Sequence, residues 1–515
     1  MRADVLSAAR RGATAGLAAL LLLLLAGLVA CGGGTRAEPA VTKLEARPAT
    51  PTGALVGEPV LFDASASVVP TSGTVSYSWT VSGPDGASVA LGDASTARPY
   101  FYPAAAGSYQ AQVTVSVVAS DLQATSPALT ISFNVSTLVA PTADEARARI
   151  RSLAAAAVAP LPPDSTSPTL TIGSADGTST INPGRLLAWN RPEFIYTGAV
   201  GQAGFVYPDT LFGANRAVSY SSSQRSGNFL TVDFVTDAAT FEVFMKGLGY
   251  NGQLRVLVDG RLASTTPLQL PNDGGTYLTQ VRFANAATRH IRLLMNAPYF
   301  GGVRVGPNDT VSRPAPGTRL RTMFLGDSIT EGPAGQNSTD SYASRAAQLL
   351  GWADNWVSGV GATGYLSAPA PKLSLRQRLS ADVLAYKPAV LVISAGVNDT
   401  AFTDEQIGAE AALLFDAIRA GLPETLVFVA GPMATTNRAR AGINAALKAA
   451  VGTRSNFIWV PNVDEPWLTG TGTVASPRGN GNADEYISFD GTHPTPAGIE
   501  FLAGKMATFI KQAAQ

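Results

Sequence analysis

The sequence predicts a multidomain protein in which two β-sandwich domains precede an α/β domain with three layers around a parallel sheet. Short runs of alternating apolar and polar residues fill residues 41–137 and return over residues 168–312, which is typical of strands with one buried face. Over residues 318–515, short apolar strands alternate with longer helical patterns, and this favours a parallel sheet covered by helices. A chain of 515 residues has room for about three domains at roughly 150 residues each.

Composition restricts the classes of function. Hydrophobic residues make up 46% of the chain and charged residues 14%, an apolar content typical of folded proteins. The 37 Lys and Arg residues balance the 37 Asp and Glu residues. Because there is no basic excess to neutralise phosphates, no nucleic-acid partner is expected.

Residues 1–30 are predicted to be an export signal, because Arg2, Arg10 and Arg11 precede the apolar run AGLAALLLLLLAGLVA. Cys31, the only cysteine, follows directly, and the string LVAC resembles the lipobox of bacterial lipoproteins. The resemblance implies cleavage before Cys31, acylation of its thiol and a lipid anchor at the cell envelope, with the outer membrane as the expected location. An uncleaved transmembrane helix is the alternative. A single cysteine excludes an internal disulfide.

Residues 41–137 are predicted to form the first β-sandwich. Strand-like runs such as YSWTV and YQAQVTVSVV are separated by turn residues, which favours a sandwich with Trp79 in its core. The strings GEPVLFDASAS, YSWTV and AGSYQAQVTV resemble PKD and related immunoglobulin-like modules, which implies a spacer or binding module. Residues 138–167 join a helix-prone piece to the proline-rich string APLPPDSTSP, so a linker is expected there.

Residues 168–312 are predicted to form the second β-sandwich. The runs FEVFMKG and LRVLVDGRLAS are strand-like, and Asp259 with Gly260 is placed as a tight hairpin turn. Position and pattern resemble the small β-sandwich that precedes the catalytic domain in some carbohydrate esterases. His290 has no carboxylate close in sequence, so a structural role is expected. Four aromatic residues are candidates first for the core and second for stacking on sugar rings: Trp189, Tyr196, Tyr207 and Tyr250.

Polar residues that follow the predicted strands of the C-terminal domain form an unusual set. The motif GDSIT contains Ser328, SGVGATG contains Gly361, GVND contains Asn398, and the last loop contains Asp490 and His493. Ligands of parallel sheets bind at the carboxyl ends of the strands, where these residues are expected. Taken singly, each motif has a simpler interpretation: Ser328 as a helix N-cap, Asn398 as a turn residue, Asp490 as a cap of the last helix.

Together and in this order, the motifs resemble those of the SGNH hydrolases, also called the GDSL family. The resemblance spans residues 318–515 and implies a flavodoxin-like α/β fold with Ser328 as nucleophile and Asp490 and His493 as the Asp-x-x-His pair. A serine hydroxyl needs a base to take its proton, and imidazole suits that task at neutral pH. His493 is the only histidine of this domain, and Asp490 is placed to orient its ring.

The same resemblance implies an oxyanion hole made by the backbone N–H groups of Ser328 and Gly361 and the side-chain amide of Asn398. The family often has an asparagine shortly before the glycine, whereas here Asn355 lies further away, which leaves Gly364 as an alternate to Gly361. Three acidic neighbours are expected to cap helices or accept from the backbone: Asp327, Glu331 and Asp399.

The expected activity is ester hydrolysis through an acyl-serine, with acylated polysaccharide as substrate, most simply as a carbohydrate O-acetyl esterase. The sequence contains no G-x-S-x-G, no H-E-x-x-H and no G-x-x-x-x-G-K-[ST] motif, so neither a metal nor a cofactor is expected. The alternatives are a lipolytic esterase or acyltransferase with the same triad, and a glycan-binding surface lipoprotein whose hydrolase domain is inactive.

Overall fold

The computed structural model describes residues 44–119, 123–157, 160–200, 229–247, 252–271, 273–296, 298–315, 319–332, 341–433 and 441–515. The predicted export signal, Cys31, Tyr207 and Tyr250 lie outside these residues. Within the described ranges, no helix has the length and apolarity to cross a membrane.

A multi-sheet, mostly β region precedes the C-terminal α/β domain. Its first unit contains β1 (Ala54–Leu55), β2 (Val60–Leu61), β3 (Thr74–Ser82), β4 (Tyr100–Phe101), β5 (Gly107–Val118), β6 (Gln123–Thr125) and β7 (Leu129–Ser136). One sheet has the order β1-β7-β5-β3 with β6 against β5, and β2 pairs with β4. Both sheets contribute to one core, which contains Trp79. Strand β5 buries every second side chain from Tyr109 to Val117, in agreement with its alternating sequence.

Helix α1 (Ala143–Ala156) occupies much of the segment expected to be a linker. Thr142 caps its first turn in a reciprocal capping box with Glu145, which fixes where the helix begins. Ala146 and Ile150, one turn apart, are fully buried in a core of the C-terminal domain. Residues 138–167 therefore include a packed helix, because their apolar residues recur at helical spacing.

The second β unit consists of two sheets around one core. Its strands are β8 (Thr169–Thr171), β9 (Arg185–Ala188), β10 (Ile195–Ala199), β11 (Phe229–Thr236), β12 (Thr240–Gly247), β13 (Gln253–Val258), β14 (Arg261–Leu262), β15 (Leu268–Gln269), β16 (Thr276–Arg282), β17 (Arg289–Asn296), β18 (Pro298–Val305) and β19 (Val311–Ser312). One sheet has the order β8-β16-β12-β18-β9, and the other begins β14-β13-β17-β11-β10. Asp259 and Gly260 form the predicted two-residue turn, with φ of 50° and 83°.

His290 has a carboxylate partner that lies 57 residues away in sequence. Its Nε2 is 2.8 Å from Oδ1 of Asp233, and Arg292 donates to both oxygens of the same carboxylate. Burial opposes the charge of Asp233, but Arg292 and His290 outweigh it and hold the Asp233 pKa below its usual range. His290 thus belongs to a charged cluster on the sheet. Trp189 and Tyr196 pack against the core of this unit.

The C-terminal domain alternates strands and helices along the chain. Its elements are β20 (Thr322–Gly326), α2 (Ser328–Glu331), α3 (Tyr342–Leu349), β21 (Asn355–Gly359), α4 (Leu375–Leu379), a π-helical turn (Ser380–Leu384), β22 (Val390–Ser394), α5 (Asp404–Gly421), β23 (Leu426–Ala430), α6 (Ala441–Val451), β24 (Phe457–Val460), α7 (Ala483–Tyr486) and α8 (Pro496–Ala513). The strands are parallel in the order β21-β20-β22-β23-β24, which is the flavodoxin-like order implied by the motifs.

Two apolar cores cover the two faces of this sheet. Helices α1, α3 and α8 pack on one face around Phe324 and Phe428. Helices α4, α5 and α6 pack on the other around Leu325 and Val429. The domain therefore has three layers, with the parallel sheet buried between two layers of helices.

The sheet of the second β unit continues into the sheet of the C-terminal domain. Strand β10 pairs in parallel with β21, with Gly198 opposite Trp356, and the N–H of Val200 donates to the carbonyl of Val357 at 3.0 Å. The change of pattern near residue 313 predicted a domain boundary, yet backbone hydrogen bonds cross between the two units. The two units join because β10 pairs with β21 at the edge of the C-terminal sheet, where a strand offers N–H and C=O groups to a further strand.

Candidate active site

The strand order brings the predicted site residues to one edge of the sheet. Strand β20 lies between β21 and β22, with Gly326 opposite both Gly359 and Ser394. Ser328 opens α2 just after β20, Gly361 follows β21 and Asn398 follows β22. This is the position at which the strand order reverses, where open α/β sheets form their ligand crevice.

Ser328, His493 and Asp490 form a continuous hydrogen-bonded chain. Ser328 Oγ is 2.8 Å from His493 Nε2, although 165 residues separate them in sequence. His493 Nδ1 is 2.6 Å from Asp490 Oδ2. Because an ionised carboxylate can only accept, Nδ1 carries the proton and Nε2 is left to accept from the serine hydroxyl.

The turn around Gly491 shapes the acidic end of this chain. Gly491 has a φ of 71°, a conformation that glycine adopts without strain. The turn lets Asp490 Oδ1 accept from the backbone N–H groups of Thr492 and His493 at 2.9 and 3.0 Å. Partial burial disfavours the charge of Asp490, but the hydrogen bonds from His493 and Thr492 outweigh it and hold the pKa of this carboxyl well below its usual range.

Ser328, the candidate nucleophile, lies on a tight strand-to-helix turn. Asp327 is the N-cap of α2, and its carboxylate accepts from the N–H of Ile329 at 3.0 Å. A Cβ at Gly326 would lie 2.3 Å from the carbonyl oxygen of Ser394, so only glycine fits there. Burial raises the pKa of Asp327 to about 7, against the effects of the Ile329 hydrogen bond and nearby His493. Because Asp327 takes the N-cap position of α2, the interpretation of Ser328 as a helix N-cap is wrong. Helix α8 is capped by Thr495, so the interpretation of Asp490 as its cap is wrong as well.

The candidate donors of the oxyanion hole lie near one another, but most of them already donate a hydrogen bond to another group of the protein. The N–H of Gly361 donates to Oε2 of Glu331 at 2.7 Å. The N–H of Gly364, the alternate, donates to the carbonyl of Ser367 at 2.9 Å. Asn398 Nδ2 donates to the carbonyl of Thr363 at 3.0 Å, which uses one of the two amide hydrogens.

Two basic residues of the site were not identified from the sequence. Lys372 Nζ donates to the carbonyl of Gly361 at 2.7 Å. Arg378 is fully buried and donates to the carbonyl of Gly326 at 2.6 Å and to Oγ1 of Thr363 at 2.9 Å. Burial lowers the Arg378 pKa to about 10. Its only sequence signal is a charged residue on the apolar face of helix LRQRL.

The acidic neighbours act on the backbone, as the sequence predicted. Asp399 is fully buried, and its carboxylate accepts from the three successive N–H groups of residues 365–367 at 2.9, 3.0 and 2.7 Å. Asp327 caps α2, and Glu331 holds Gly361. The loop of residues 360–367 is therefore fixed by charged side chains.

Comparisons with known proteins agree with this geometry. Residues 324–500 match the GDSL-like lipase/acylhydrolase family. Among solved structures, the salicylyl-acyltransferase SsfX3 from a tetracycline biosynthetic pathway is 17% identical with a TM-score of 0.50, over 65% of this chain and 98% of that one. A family two carbohydrate esterase from Clostridium thermocellum is 18% identical with a TM-score of 0.44, over 62% of this chain and 98% of that one. A search of curated proteins found no match.

The likeness to the acyltransferase, at 17% identity, shows the fold alone, and the assignment depends on the family match. The matched segment contains the whole chain of hydrogen bonds from Ser328 to Asp490. Residues 324–500 are therefore a GDSL-like lipase/acylhydrolase domain, which makes this protein an esterase of the SGNH/GDSL type.

Proposed function

We propose that this esterase is a carbohydrate O-acetyl esterase of the cell envelope that works through an acyl-serine. The observation that carries its chemistry is the hydrogen-bonded chain from Ser328 Oγ to His493 Nε2, at 2.8 Å, and from His493 Nδ1 to Asp490, at 2.6 Å. The arrangement has a nucleophile, a base and an orienting carboxylate within direct reach of one another.

The reaction proceeds in two displacements. His493 Nε2 takes the hydroxyl proton while Ser328 Oγ attacks the acyl carbon, and the carbonyl oxygen becomes an oxyanion. Collapse of this intermediate breaks the bond to the sugar oxygen, which leaves with the proton from Nε2. Water then attacks the acyl-serine and gives a proton to His493; the acid leaves, and Ser328 regains its proton. Asp490 remains ionised and stabilises the imidazolium in both steps.

Two features support a polymer-borne acetyl group over a long acyl chain. The side chains of His493 and Asp490 are 25% and 35% exposed, so a short acyl group on a bulky glycan can reach the triad from solvent. The domain is also preceded by a mostly β region, and the resemblance of its first unit to PKD modules suits a protein that works on surface polysaccharide.

A fluorophosphonate probe tests the nucleophile. We expect the probe to label the wild-type protein and the control Ser455→Ala, and labelling to be lost in Ser328→Ala, because only an activated serine attacks phosphorus at a useful rate. An unlabelled wild-type protein would instead favour a glycan-binding protein with an inactive domain.

Hydrolysis assays test the substrate. Acetylated xylan, other acetylated glycans and 4-nitrophenyl esters of graded chain length are compared by kcat/KM. The proposal predicts the highest values for acetyl esters and a steep fall with chain length. A maximum at long chains would favour a lipolytic esterase, and transfer of the acyl group to an added sugar would favour an acyltransferase.

We also propose that lipid on Cys31 anchors the protein to the envelope, most simply at the outer membrane. The LVAC motif supports this proposal, and the string CGGGT after the cleavage point suits a flexible tether. In the wild type, the protein is expected in the membrane fraction with a labelled fatty acid attached. Cys31→Ser is expected to lose the label; a labelled variant would contradict the anchor.

A further inference from the structure

A buried arginine of α4 contacts the two strand ends that lead into the site. The side chain of Arg378 is fully buried, and a charge is kept in such surroundings only when it is paired and hydrogen-bonded. Its Nη2 donates to the carbonyls of Gly326 and Ser358 at 2.6 and 3.3 Å. Its Nη1 donates to Oγ1 of Thr363 at 2.9 Å. One guanidinium group therefore contacts β20, β21 and the loop of residues 360–367.

The orientation of this guanidinium group is set by a buried carboxylate. Asp382, one turn further along in the π-helical turn, is fully buried as well, and its Oδ2 lies 3.7 Å from Nε of Arg378. The hydroxyl of Ser358 accepts from the same Nε at 3.2 Å and donates to the same carboxylate oxygen at 3.0 Å. Because the guanidinium is a rigid planar fork, fixing Nε on this side directs the two Nη atoms at Gly326 and Thr363.

The Gly326 carbonyl lies in the turn that presents Ser328. It belongs to the peptide group that joins β20 to Asp327, the N-cap of α2, and it also accepts from the N–H of Val360 at 3.1 Å. Asp327 is followed directly by Ser328. The hydrogen bond from Arg378 is therefore made two residues from the candidate nucleophile, where the backbone leaves the sheet.

The Thr363 hydroxyl carries the contact to the other side of the site. Thr363 is fully buried, and the hydroxyl that accepts from Arg378 donates to the carbonyl of Val360 at 2.7 Å. The carbonyl of Thr363 accepts from Asn398 Nδ2 at 3.0 Å. Since this bond uses one of the two amide hydrogens, it restrains the direction of the second. Two successive contacts thus connect the Arg378 guanidinium to the Asn398 amide.

We propose that Arg378 is a positioning residue of the esterase reaction, which holds the turn of Ser328 and the amide of Asn398 at a fixed separation. In the reaction, Ser328 Oγ attacks the acyl carbon while the Asn398 amide receives the oxyanion, and a misplacement of about 1 Å between such groups can cost about 10²-fold in rate. Arg378 is buried, so it acts through Gly326 and Thr363 and not on the substrate. This inference rests on the acyl-serine chemistry proposed above.

The first experiment replaces the guanidinium group. Arg378→Lys keeps the buried charge, but one nitrogen cannot replace the contacts of Nε, Nη1 and Nη2 at once. We expect kcat on 4-nitrophenyl acetate to fall by about 10²-fold with KM nearly unchanged. The affinity for phenylboronic acid, which forms a tetrahedral adduct with an active serine, should fall in parallel. The control Arg376→Lys changes a side chain of the same helix that is 46% exposed, and it should match the wild type.

The second experiment tests the path from Arg378 to Asn398. Thr363→Val removes the hydroxyl and leaves the buried charge in place, and Nη1 of Arg378 keeps the carbonyl of Leu373 as an acceptor at 3.1 Å. We expect kcat to fall by about 10-fold, less than for removal of an oxyanion donor, and Thr363→Ser to restore most of the loss. In an Asn398→Ala background, Thr363→Val should have little further effect, because the group that it positions is already absent.

An unchanged kcat in folded Arg378→Lys would overturn the proposal. An equal effect of Thr363→Val with and without the Asn398 amide would overturn it too, because a merely structural change acts on both backgrounds alike. If Arg378→Lys does not fold, the Thr363 variants decide by themselves. A wild-type protein that neither hydrolyses esters nor reacts with the fluorophosphonate would instead contradict the proposed function.

Discussion

The side-chain amide of Asn398 has one structural contact and one proposed catalytic role. One hydrogen of Nδ2 is committed to the Thr363 carbonyl at 3.0 Å, and the other is the proposed donor to the oxyanion. The side chain lies after β22, next to the buried anchor Asp399. The backbone therefore fixes the position from which Asn398 would act on the substrate.

Replacing Asn398 by Ala is expected to lower kcat by about 10²–10³, the typical cost of one oxyanion donor. The KM and the thermal unfolding midpoint should change little, because the amide receives charge mainly in the transition state. Steady-state kinetics on 4-nitrophenyl acetate measure this, with Asn134→Ala on the exposed face of β7 as control. An unchanged rate would remove Asn398 from the oxyanion hole.

Asp327 predicts a pH dependence of stability. Its pKa rises from 3.8 to about 7 on folding, chiefly through burial. The folded protein thus holds this proton more tightly than the unfolded chain, so the stabilisation is complete below about pH 4 and is lost as the pH rises through about 7. Asp327→Asn keeps an oxygen for the cap but cannot titrate. We expect the variant to show a smaller fall in the free energy of unfolding between about pH 5 and pH 8, measured in urea; an equal fall would refute this role.

At the scale of elements, helix α1 ties the N-terminal region to the C-terminal domain. Arg147 and Arg151 donate to the carbonyls of Ala513 and Ala514 at 2.7 and 2.5 Å. Cations stabilise the carbonyl end of a helix, and these carbonyls lie at the end of α8. The same helix buries Ile150 in the core of the C-terminal domain. Helix α1 is therefore held to this domain both by apolar packing and by hydrogen bonds from charged side chains.

Ile150→Ala is expected to lower the free energy of unfolding of the C-terminal domain by about 2–5 kcal/mol, because Ile150 is fully buried and the loss of its side chain leaves a cavity. Leu413→Ala on α5 is the control; this leucine is 54% exposed, so a change within about 0.5 kcal/mol is expected. Urea unfolding followed through loss of esterase activity measures both. Equal midpoints for the two variants would show that α1 does not stabilise the domain.

At the scale of the whole molecule, one sheet runs through two units. Strand β10 adds to the edge at β21, and β21 is the strand that leads into Gly361. Main-chain hydrogen bonds between neighbouring strands restrain both. The second β unit therefore supports the strand that leads into the candidate active site.

The first β unit makes a different kind of contact. Arg313 pairs with Glu58 at 2.6 Å, and Arg191 pairs with Asp93 and lies over the ring of Tyr100. Its core is separate from that of the second unit. Partly exposed ion pairs contribute little free energy each, so this unit is attached by contacts much weaker than a shared sheet.

Several features were predictable because their signal is local. The alternation in β5, the Asp259–Gly260 turn and the start of α8 at Thr495 follow from periodicity, turn chemistry and capping. Strand β21, with the sequence NWVSG, was not among the predicted strands. Its polar residues Asn355 and Ser358 interrupt the apolar run that reveals the other buried strands of this sheet.

The sequence by itself indicated the candidate triad, since Ser328, Asp490 and His493 stand in motifs that together resemble those of the SGNH hydrolases and His493 is the only histidine of its domain. It also determined the alternation of strands and helices, except for β21, since each element depends on residues close in sequence. Only the tertiary structure decided the direction of the Gly361 N–H and the choice of Lys372 and Arg378 as the cations that hold the loop of residues 360–367. It also decided that the sheets of the second β unit and the C-terminal domain join into one. These depend on the directions of backbone groups and on pairing between distant edges, which no local pattern encodes.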